Sequence, residues 1–356
     1  MRLQLTVLVS LGIAVAPLAL AADRVDVEPV TRFALYRDSD STTIWTAATG
    51  VTGRLDERWE LGARYLVDVV SSASVDVITQ ATGRFEDTRH DISVSGGWRE
   101  PARSLVVGYS HSTENDWQSH NASLSGSLDV LQRNLTLSAS VGFQDNTITR
   151  ANSFGFEEGL RVYLATLGAS YTLTPRDLIS ASLASSYYDG FQSSPYRYVT
   201  VAGQALLERQ PEQRFRQALV LRHHRYLGGG WALRSHGRLY ADTYGVKSLT
   251  LGVESVFESE PIDLALSLRG YQQTRADFYR AAYASEQRYL TIDKELSPFW
   301  DVFFGPTLGY GRTRLGPFEG LRLEARVQGF YFDFSDFTAL ERRYGVVADV
   351  GASAAF

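Results

Sequence analysis

The residues best suited to bind a ligand are arginines and histidines that lie an even number of positions apart within each of three segments. Alternate positions of a β-strand face the same side of a sheet, so each segment presents its basic side chains on one face if it is a strand. A wall of one charge inside a low-dielectric tube attracts and steers anions. The predicted wall contains Arg216, Arg222, His224, Arg234, His236 and Arg238, and adds Arg322 and Arg326.

The alternative is that carboxylates on the same wet face neutralise these cations. Inward positions of several other predicted strands carry acids, so we favour pairing over a free basic wall. Pairing leaves the wall polar but electrically balanced. The available acids are Glu60, Asp68, Glu254, Glu324 and Asp349.

A second candidate is the segment from Asp68 to Asp76, in which Ser71, Ser72 and Ser74 accompany the two carboxylates. Carboxylates and hydroxyls are oxygen ligands that suit Ca²⁺ or a sugar. The spacing is not that of an EF-hand loop. A solvated outer loop is the simpler interpretation.

Catalytic groups are sparse. His111, Ser112 and His120 supply a serine and two bases, but a serine nucleophile needs a base beside it, and neighbours on one strand face opposite sides. The adjacent His223 and His224 cannot easily share one metal ion for the same reason. The chain has no cysteine, which excludes disulfides and thiolate metal sites. We therefore predict no enzyme, no metal site and no cofactor.

The elements that would position these side chains are strands, because apolar and polar residues alternate along most of the chain. The predicted strands are longer than those of a soluble β-sandwich, the competing all-β architecture, whose strands average about five or six residues. They are long enough to cross a bilayer when tilted. They occupy 42–54, 58–70, 89–99, 103–111, 119–131, 134–144, 161–173, 177–187, 214–226, 230–242, 246–257, 262–271, 301–311, 319–331 and 343–356.

Short and long connections alternate between these strands. Short turns rich in Gly, Pro and Asp are predicted at 55–57, 100–102, 131–133, 174–177, 228–230 and 258–261. Longer connections are predicted at 71–87, 112–118, 145–159, 188–213, 272–300 and 335–342. This asymmetry is typical of outer-membrane barrels, with turns in the periplasm and loops outside. We predict an all-β, transmembrane, antiparallel up-and-down β-barrel of about sixteen strands, with fourteen or eighteen as alternatives, because 197–209 and 286–294 fit a strand or a loop.

The last strand carries the membrane signature most clearly. From Arg343 to Phe356, one face is apolar with an aromatic residue at each end, and the other is small and polar. A terminal aromatic on such a strand resembles the signal by which Gram-negative cells recognise outer-membrane barrels. The predicted partners are therefore outer-membrane lipid and lipopolysaccharide, and the barrel-assembly machinery through the strand that ends at Phe356.

Residues 1–21 are predicted to be a cleaved signal peptide, with a basic start at Arg2, an apolar core and a small-x-small site at 19–21. Residues 22–356 are then one outer-membrane barrel. The net charge of −5 gives nucleic-acid binding no support. The 30 Gly, 19 Tyr and 18 Phe favour a barrel with aromatic girdles over a helical enzyme.

Aromatic residues also gather in the predicted loops. They could stack on a sugar or a partner, but an outer girdle and loop packing explain them more simply. The residues are Phe154 to Phe156, Tyr187, Tyr188, Phe191, Tyr196, Tyr198 and Phe332 to Phe337.

Four segments resemble recurring segments of the bacterial proteins grouped as domain of unknown function 3570. They begin at Tyr65, Gly190, Glu208 and Tyr289, and read YLVDVVSSASVD, GFQSSPYR, ERQPEQR and YLTIDKELSPF. The resemblance implies an outer-membrane barrel of unassigned function and no catalytic residues.

These observations predict a porin-like channel for small polar or anionic solutes in the outer membrane of a Gram-negative cell. The alternative is a non-conducting scaffold or surface receptor, whose long outer loops dock a periplasmic or surface protein. The first hypothesis requires an open lumen, and the second places the contact in the loops.

Overall fold

The computed structural model describes residues 25–72, 85–151, 155–315 and 318–355. Sixteen antiparallel strands close into one barrel, in which β1 pairs with β18. Two further strands, β10 and β11, form a separate hairpin between β9 and β12. The strands are β1 (Val25–Asp38), β2 (Thr42–Leu55), β3 (Trp59–Ser72), β4 (Phe85–Glu100), β5 (Arg103–Thr113), β6 (Trp117–Val130), β7 (Leu135–Thr149), β8 (Glu157–Thr174), β9 (Asp177–Gly190), β10 (Tyr198–Val201), β11 (Gln204–Leu207), β12 (Gln213–Gly228), β13 (Trp231–Asp242), β14 (Lys247–Ser259), β15 (Ile262–Gln273), β16 (Phe299–Leu315), β17 (Phe318–Phe334) and β18 (Arg342–Ala355).

The outer face of the barrel is apolar because every second residue of each strand points away from the lumen. Leu167 on β8, for example, leaves 62% of its surface uncovered by protein. Such a belt is stable only when lipid covers it. A row of aromatic side chains crosses neighbouring strands at the edge of this apolar belt that is nearer the 191–212 connection. It consists of Tyr109, Phe143, Tyr163, Tyr187 and Phe215. No helix among the described residues is long and apolar enough to cross a membrane.

The two ends of the barrel differ in their connections. At the end that holds Val25 and Ala355, the described turns join strands through a few residues each. The opposite end carries the longest connections, 191–212 and 274–298. In outer-membrane barrels the first end is periplasmic and the second is outside. We call them the periplasmic end and the outer end.

The predicted barrel of sixteen strands is confirmed, and the predicted runs coincide with β2 to β9 and β12 to β18. The alternation did not predict β1, because Pro29 and Thr31 interrupt its apolar outer face. Segment 197–209 forms the β10–β11 hairpin outside the barrel. Segment 286–294 holds isolated bridges and the first residue of a one-turn 3-10 helix, Lys294–Leu296. The predicted connection 112–118 shortens to 114–116, because β5 and β6 extend into it. The predicted signal peptide, residues 73–84 and Phe356 lie outside the described residues.

Candidate functional site

One side of the lumen is lined by hydroxyls. The inward positions of β5 to β9, all within the described part of the chain, carry charge only near the strand ends, at Asp129 and Glu158. Serine and threonine fill about half of the other positions. We call this surface the hydroxyl wall. Its members are Ser104, Ser110, Ser123, Ser125, Ser127, Thr136, Ser138, Ser140, Thr166, Ser170, Ser180, Ser182 and Ser186.

The hydroxyl wall is shallow because several of its serines lie over a glycine of the next strand. Ser123 faces Gly108 across β5 and β6, and a Cβ on that glycine would stand 2.8 Å from the Ser123 hydroxyl oxygen. Ser138 has the same relation to Gly168 on β8. The absence of these Cβ atoms lets the hydroxyls lie close to the sheet. This side therefore projects little into the lumen.

The other side of the lumen, β12 to β18 and β1 to β3, is a charged wall of arginines and carboxylates. Of the arginines that the sequence predicted there, Arg234 lies 3.1 Å from Glu254, Arg322 lies 3.5 Å from Asp263, and Arg326 lies 2.8 Å from Asp349. These three arginine side chains keep 42–59% of their surface exposed. Solvent therefore reaches the lumen, and these ion pairs are screened.

Some ion pairs of the charged wall join strands that are separated by a third strand, and the sequence did not predict such pairs. Arg322 on β17 reaches Asp263 on β15 across Gly309 of β16. Arg32 on β1 reaches Glu324 on β17, 3.4 Å away, on the far side of β18. The inner surface of a barrel is concave, so side chains two strands apart converge where a glycine separates them.

Three of the predicted cations are placed differently. The Arg216 guanidinium stacks on the Tyr188 ring at 4.0 Å and donates to its hydroxyl at 3.1 Å. Within the described part of the chain, no carboxylate lies within ion-pair distance of Arg222 or Arg238. Arg238 instead lies over Tyr240 at 5.1 Å. The lumen thus contains balanced pairs and a smaller set of arginines without an acid partner, and the prediction that they bind anions stays a prediction.

The two longest outer connections, 191–212 and 274–298, pack on one another, and we call them together the cap. Val199 and Val201 of β10 share a buried cluster with Tyr283 and Leu290 of the second connection. The backbones of Arg209 and Leu290 exchange hydrogen bonds of 3.0 and 2.9 Å. Burial of this apolar cluster gives the cap a small core of its own.

An ion pair lies inside the cap. Arg197 Nη1 is 3.0 Å from both Glu208 Oε2 and Asp293 Oδ2. The Arg197 side chain is 18% exposed and that of Glu208 is fully buried. Glu208 also accepts a hydrogen bond of 3.0 Å from the Thr291 hydroxyl. Burial raises the pKa of the Glu208 carboxyl above its usual range, although Arg197 beside it opposes the rise.

The cap is tied to the rim on the side of the hydroxyl wall. The Tyr196 hydroxyl donates to Asp116, in the β5–β6 turn, at 2.5 Å. Burial and then this bond raise the Tyr196 pKa to about 12, so the phenol stays protonated as a donor. Arg150, after β7, donates to the Tyr198 hydroxyl at 3.2 Å.

The cap is also tied to the rim on the side of the charged wall. Lys294 lies 3.8 Å from Asp40 in the β1–β2 turn. The Tyr279 hydroxyl donates to the backbone oxygen of Asp336, between β17 and β18, at 2.7 Å. Because Arg197 joins the two halves through Asp293, contacts run from the β5–β6 turn to the β1–β2 turn. The cap therefore lies across the outer mouth.

Acidic side chains meet beneath the Tyr196 contact. Ligand-type oxygens of Asp87, Glu114 and Asp116 lie within 4.8 Å of one another. Burial, followed by the charge of Asp87, raises the pKa of Glu114. Asp68 of the predicted cation segment instead accepts a bond of 2.6 Å from Thr46. The remainder of that segment, 73–84, is outside the described residues.

The serine and histidines considered for catalysis are not brought together. His111 and His120 face outward with ring centroids 4.4 Å apart, whereas Ser112 is buried on the inward face. His223 and His224 likewise point to opposite faces of β12.

The aromatic residues near the end of the chain were predicted to belong to the outer girdle or to loop packing. For Phe332 and Phe334 the girdle was wrong, whereas Phe334 does pack against Phe337 of the β17–β18 connection. Phe332 and Phe334 both face inward, beside Phe299 and beneath Arg343, whose guanidinium lies 4.4 Å from the Phe332 ring. The alternation along β17 could have shown that Phe332 and Phe334 face inward, because they lie an even number of positions from Arg322 and Arg326 and so share their face. Tyr188 is inward too, whereas Tyr187 joins the outer girdle.

The model of a sequence family described as "Protein of unknown function (DUF3570)" matches residues 79–310. No curated protein matches the sequence. The fold is similar to a bacterial polysaccharide outer membrane secretin, with a TM-score of 0.53 and 11% identity over 94% of this chain and 99% of that chain. It is also similar to CdiB from Acinetobacter baumannii, with a TM-score of 0.53 and 9% identity over 94% of this chain and 60% of that chain. At these identities the similarity establishes the fold, which is that of outer-membrane barrels.

Proposed function

This chain belongs to the family described as protein of unknown function DUF3570, and we propose that its barrel is an outer-membrane channel for small polar or anionic solutes. The observation that carries the proposal is the lumen itself. One wall is rich in hydroxyls, and the other exposes arginines to solvent. A bilayer-spanning barrel whose interior is polar and wetted offers a path to solutes that lipid excludes.

Anions are favoured because Arg222 and Arg238 have no acid partner among the described residues, whereas Glu254, Asp263 and Asp349 of the charged wall each pair with an arginine. Unpaired cations raise the local concentration of anions within about a Debye length. The cap lies over the path and sets how often the outer mouth is open.

The test is single-channel conductance of the refolded mature protein in planar bilayers, with the reversal potential measured under a KCl gradient. Steady openings with a reversal potential on the anion-selective side are expected. The double variant Arg234→Glu, Arg238→Glu should lower the permeability of anions relative to cations. A reversal potential that does not move in this variant contradicts a selectivity role for the charged wall.

A second candidate function is a non-conducting scaffold, and the cap favours it. The cap has its own buried core and is tied to both sides of the rim, as a docking surface would be. In that case the folded, heat-modifiable protein gives no steps of current. A partner would then contact the outer end.

Export and assembly are part of the same proposal. Signal peptidase would cut after Ala21, and the assembly machinery would engage the apolar outer face of β18 up to Phe356. N-terminal sequencing of the outer-membrane fraction checks the first step. Removal of Phe356 should lower the amount of heat-modifiable barrel in that fraction, and an unchanged amount contradicts the second step.

A further inference from the structure

The seam between the two walls, where β9, β12 and β13 meet, combines features found on neither wall alone. Arg222 of β12 pairs in register with Ser180 of β9 on one side and His236 of β13 on the other. One step toward the outer end, Val220 lies between Ser182 and Arg238 in the same way. All of these positions face the lumen.

The spacing of the seam suits one small ligand. Directly opposed Cβ atoms of antiparallel strands are about 5 Å apart, and diagonal neighbours are about 7–8 Å apart. Arg222 and Arg238 are diagonal neighbours, and two serines lie within one strand of Arg222. Two guanidinium groups and two hydroxyls can therefore reach the same bound molecule.

The cations at the seam are available to a ligand. Among the described residues, neither Arg222 nor Arg238 has a carboxylate within ion-pair distance. The nearby Arg234 differs, because Glu254 and Glu258 lie 3.1 and 3.5 Å from it. An arginine already bound to carboxylates gains less from an incoming anion than one whose donors face water.

His236 leaves room between the two arginines. A Cβ on Gly252 of β14 would overlap the His236 ring, so the glycine allows the imidazole to lie against β14. A larger residue at 252 would push the ring into the lumen. The ring therefore lies toward β14, and the neighbour of Arg222 on its other side is Ser180 of β9.

The chemistry of these groups selects a ligand class. The guanidinium fork binds a carboxylate or phosphate through two parallel hydrogen bonds. A serine hydroxyl donates one bond and accepts others, so adjacent serines match adjacent hydroxyls of a ligand. We propose that the seam binds polyhydroxylated organic anions of the sugar-acid type, with the anionic group on Arg222 and Arg238 and the hydroxyls along Ser180 and Ser182. This inference rests on the proposed function, since it names the solutes of the same lumen.

Three probes of similar length separate charge from hydroxyls: gluconate has both, hexanoate has only the charge, and sorbitol has only the hydroxyls. Isothermal titration of the refolded protein in detergent at low salt measures each affinity without requiring conduction. Gluconate is expected to bind more tightly than hexanoate or sorbitol. The double variant Arg222→Gln, Arg238→Gln should weaken gluconate about 10-fold or more, because charge-assisted hydrogen bonds are lost.

The pair Ser180→Ala, Ser182→Ala should weaken gluconate and leave hexanoate unchanged. The matched control is Arg161→Gln, which removes an arginine from the outer face, where Arg161 pairs with Asp145. Its gluconate affinity should equal that of the wild type. Heat modifiability on a gel shows that each variant has folded.

Equal binding of gluconate and hexanoate, or an unchanged affinity in the arginine double variant, overturns the inference. The same proteins in planar bilayers keep the two proposals apart. Ion current without gluconate binding leaves the channel standing and removes the seam as a site. Gluconate binding without current keeps the seam and removes the channel.

Discussion

Replacing Arg197 with glutamine is expected to loosen the cap over the outer mouth. Arg197 is the only cation within 4.0 Å of the buried Glu208 among the described residues, and it also holds Asp293 of the other half of the cap. The variant keeps the length of the side chain to within a few atoms but removes its charge. Glu208 and Asp293 then face each other without a cation between them.

The magnitude follows from burial. Removing one partner of a buried ion pair costs about 3–5 kcal/mol. Since the Arg197 side chain is 18% exposed, water replaces part of the lost interaction, and we take the lower end, about 3 kcal/mol. At about 1.4 kcal/mol for each factor of ten, the opening equilibrium of the cap rises by about 100-fold.

Amide hydrogen exchange measures this opening directly. The amides of Leu290 and Arg209 bond each other's carbonyl oxygens inside the cap, so they exchange only when it opens. Both should exchange about 100-fold faster in the Arg197→Gln variant. The amides of β7 and β8, in the wall of the barrel, should not change.

The matched control is Arg209→Gln, in the same part of the cap. Arg209 lies 2.6 Å from Glu286, but the two side chains are 47% and 58% exposed. An exposed pair contributes at most about 1 kcal/mol, so exchange should rise by no more than about fivefold. If the two variants accelerate exchange equally, burial of the Arg197 pair does not hold the cap closed, and the reasoning is refuted.

Other perturbations test the cap, the membrane face and the hydroxyl wall. Burial raises the pKa of Glu208 in the closed cap, so the stability that protonated Glu208 gives the cap is complete below the ordinary carboxyl pKa and is lost as pH rises through the raised value. Amide exchange in the cap, corrected for the intrinsic exchange rate, should therefore become faster with rising pH in the wild type but not in Glu208→Gln. Leu167→Arg, midway between Tyr163 and Tyr171 on the outer face, should lower the free energy of unfolding by about 2–4 kcal/mol in a guanidinium titration of the protein in vesicles. Thr166→Arg on the lumen face should cost less than about 1 kcal/mol, and equal losses contradict the assigned faces. Gly168→Val should cost about 1–3 kcal/mol in the same guanidinium titration because its side chain overlaps the Ser138 hydroxyl, and an unchanged midpoint contradicts that contact.

The sequence determined the barrel because each strand carries its own two-residue period. Lipid outside and water inside impose that alternation on every strand separately, so it can be recognised in one strand without knowing which strands lie beside it. It assigned the inward faces of Arg222 and Arg238 and the outward face of β18 correctly. Pro29 and Thr31 interrupt the period on the outer face of β1, which is why that strand was missed.

Only the tertiary structure decided which inward charges meet and where the loops go. The pair of Arg322 with Asp263 depends on strand register, on curvature and on a glycine between them, none of which alternation contains. The sequence of the cap shows no regular alternation of apolar and polar residues. Arg197, Glu208 and Asp293 meet because the two loops that carry them share one buried cluster. The local sequence pattern determines which face of the barrel a side chain occupies, whereas strand register and loop packing determine its partner. The partner in turn determines whether an arginine is neutralised by an acid, holds the two halves of the cap together or remains available in the lumen.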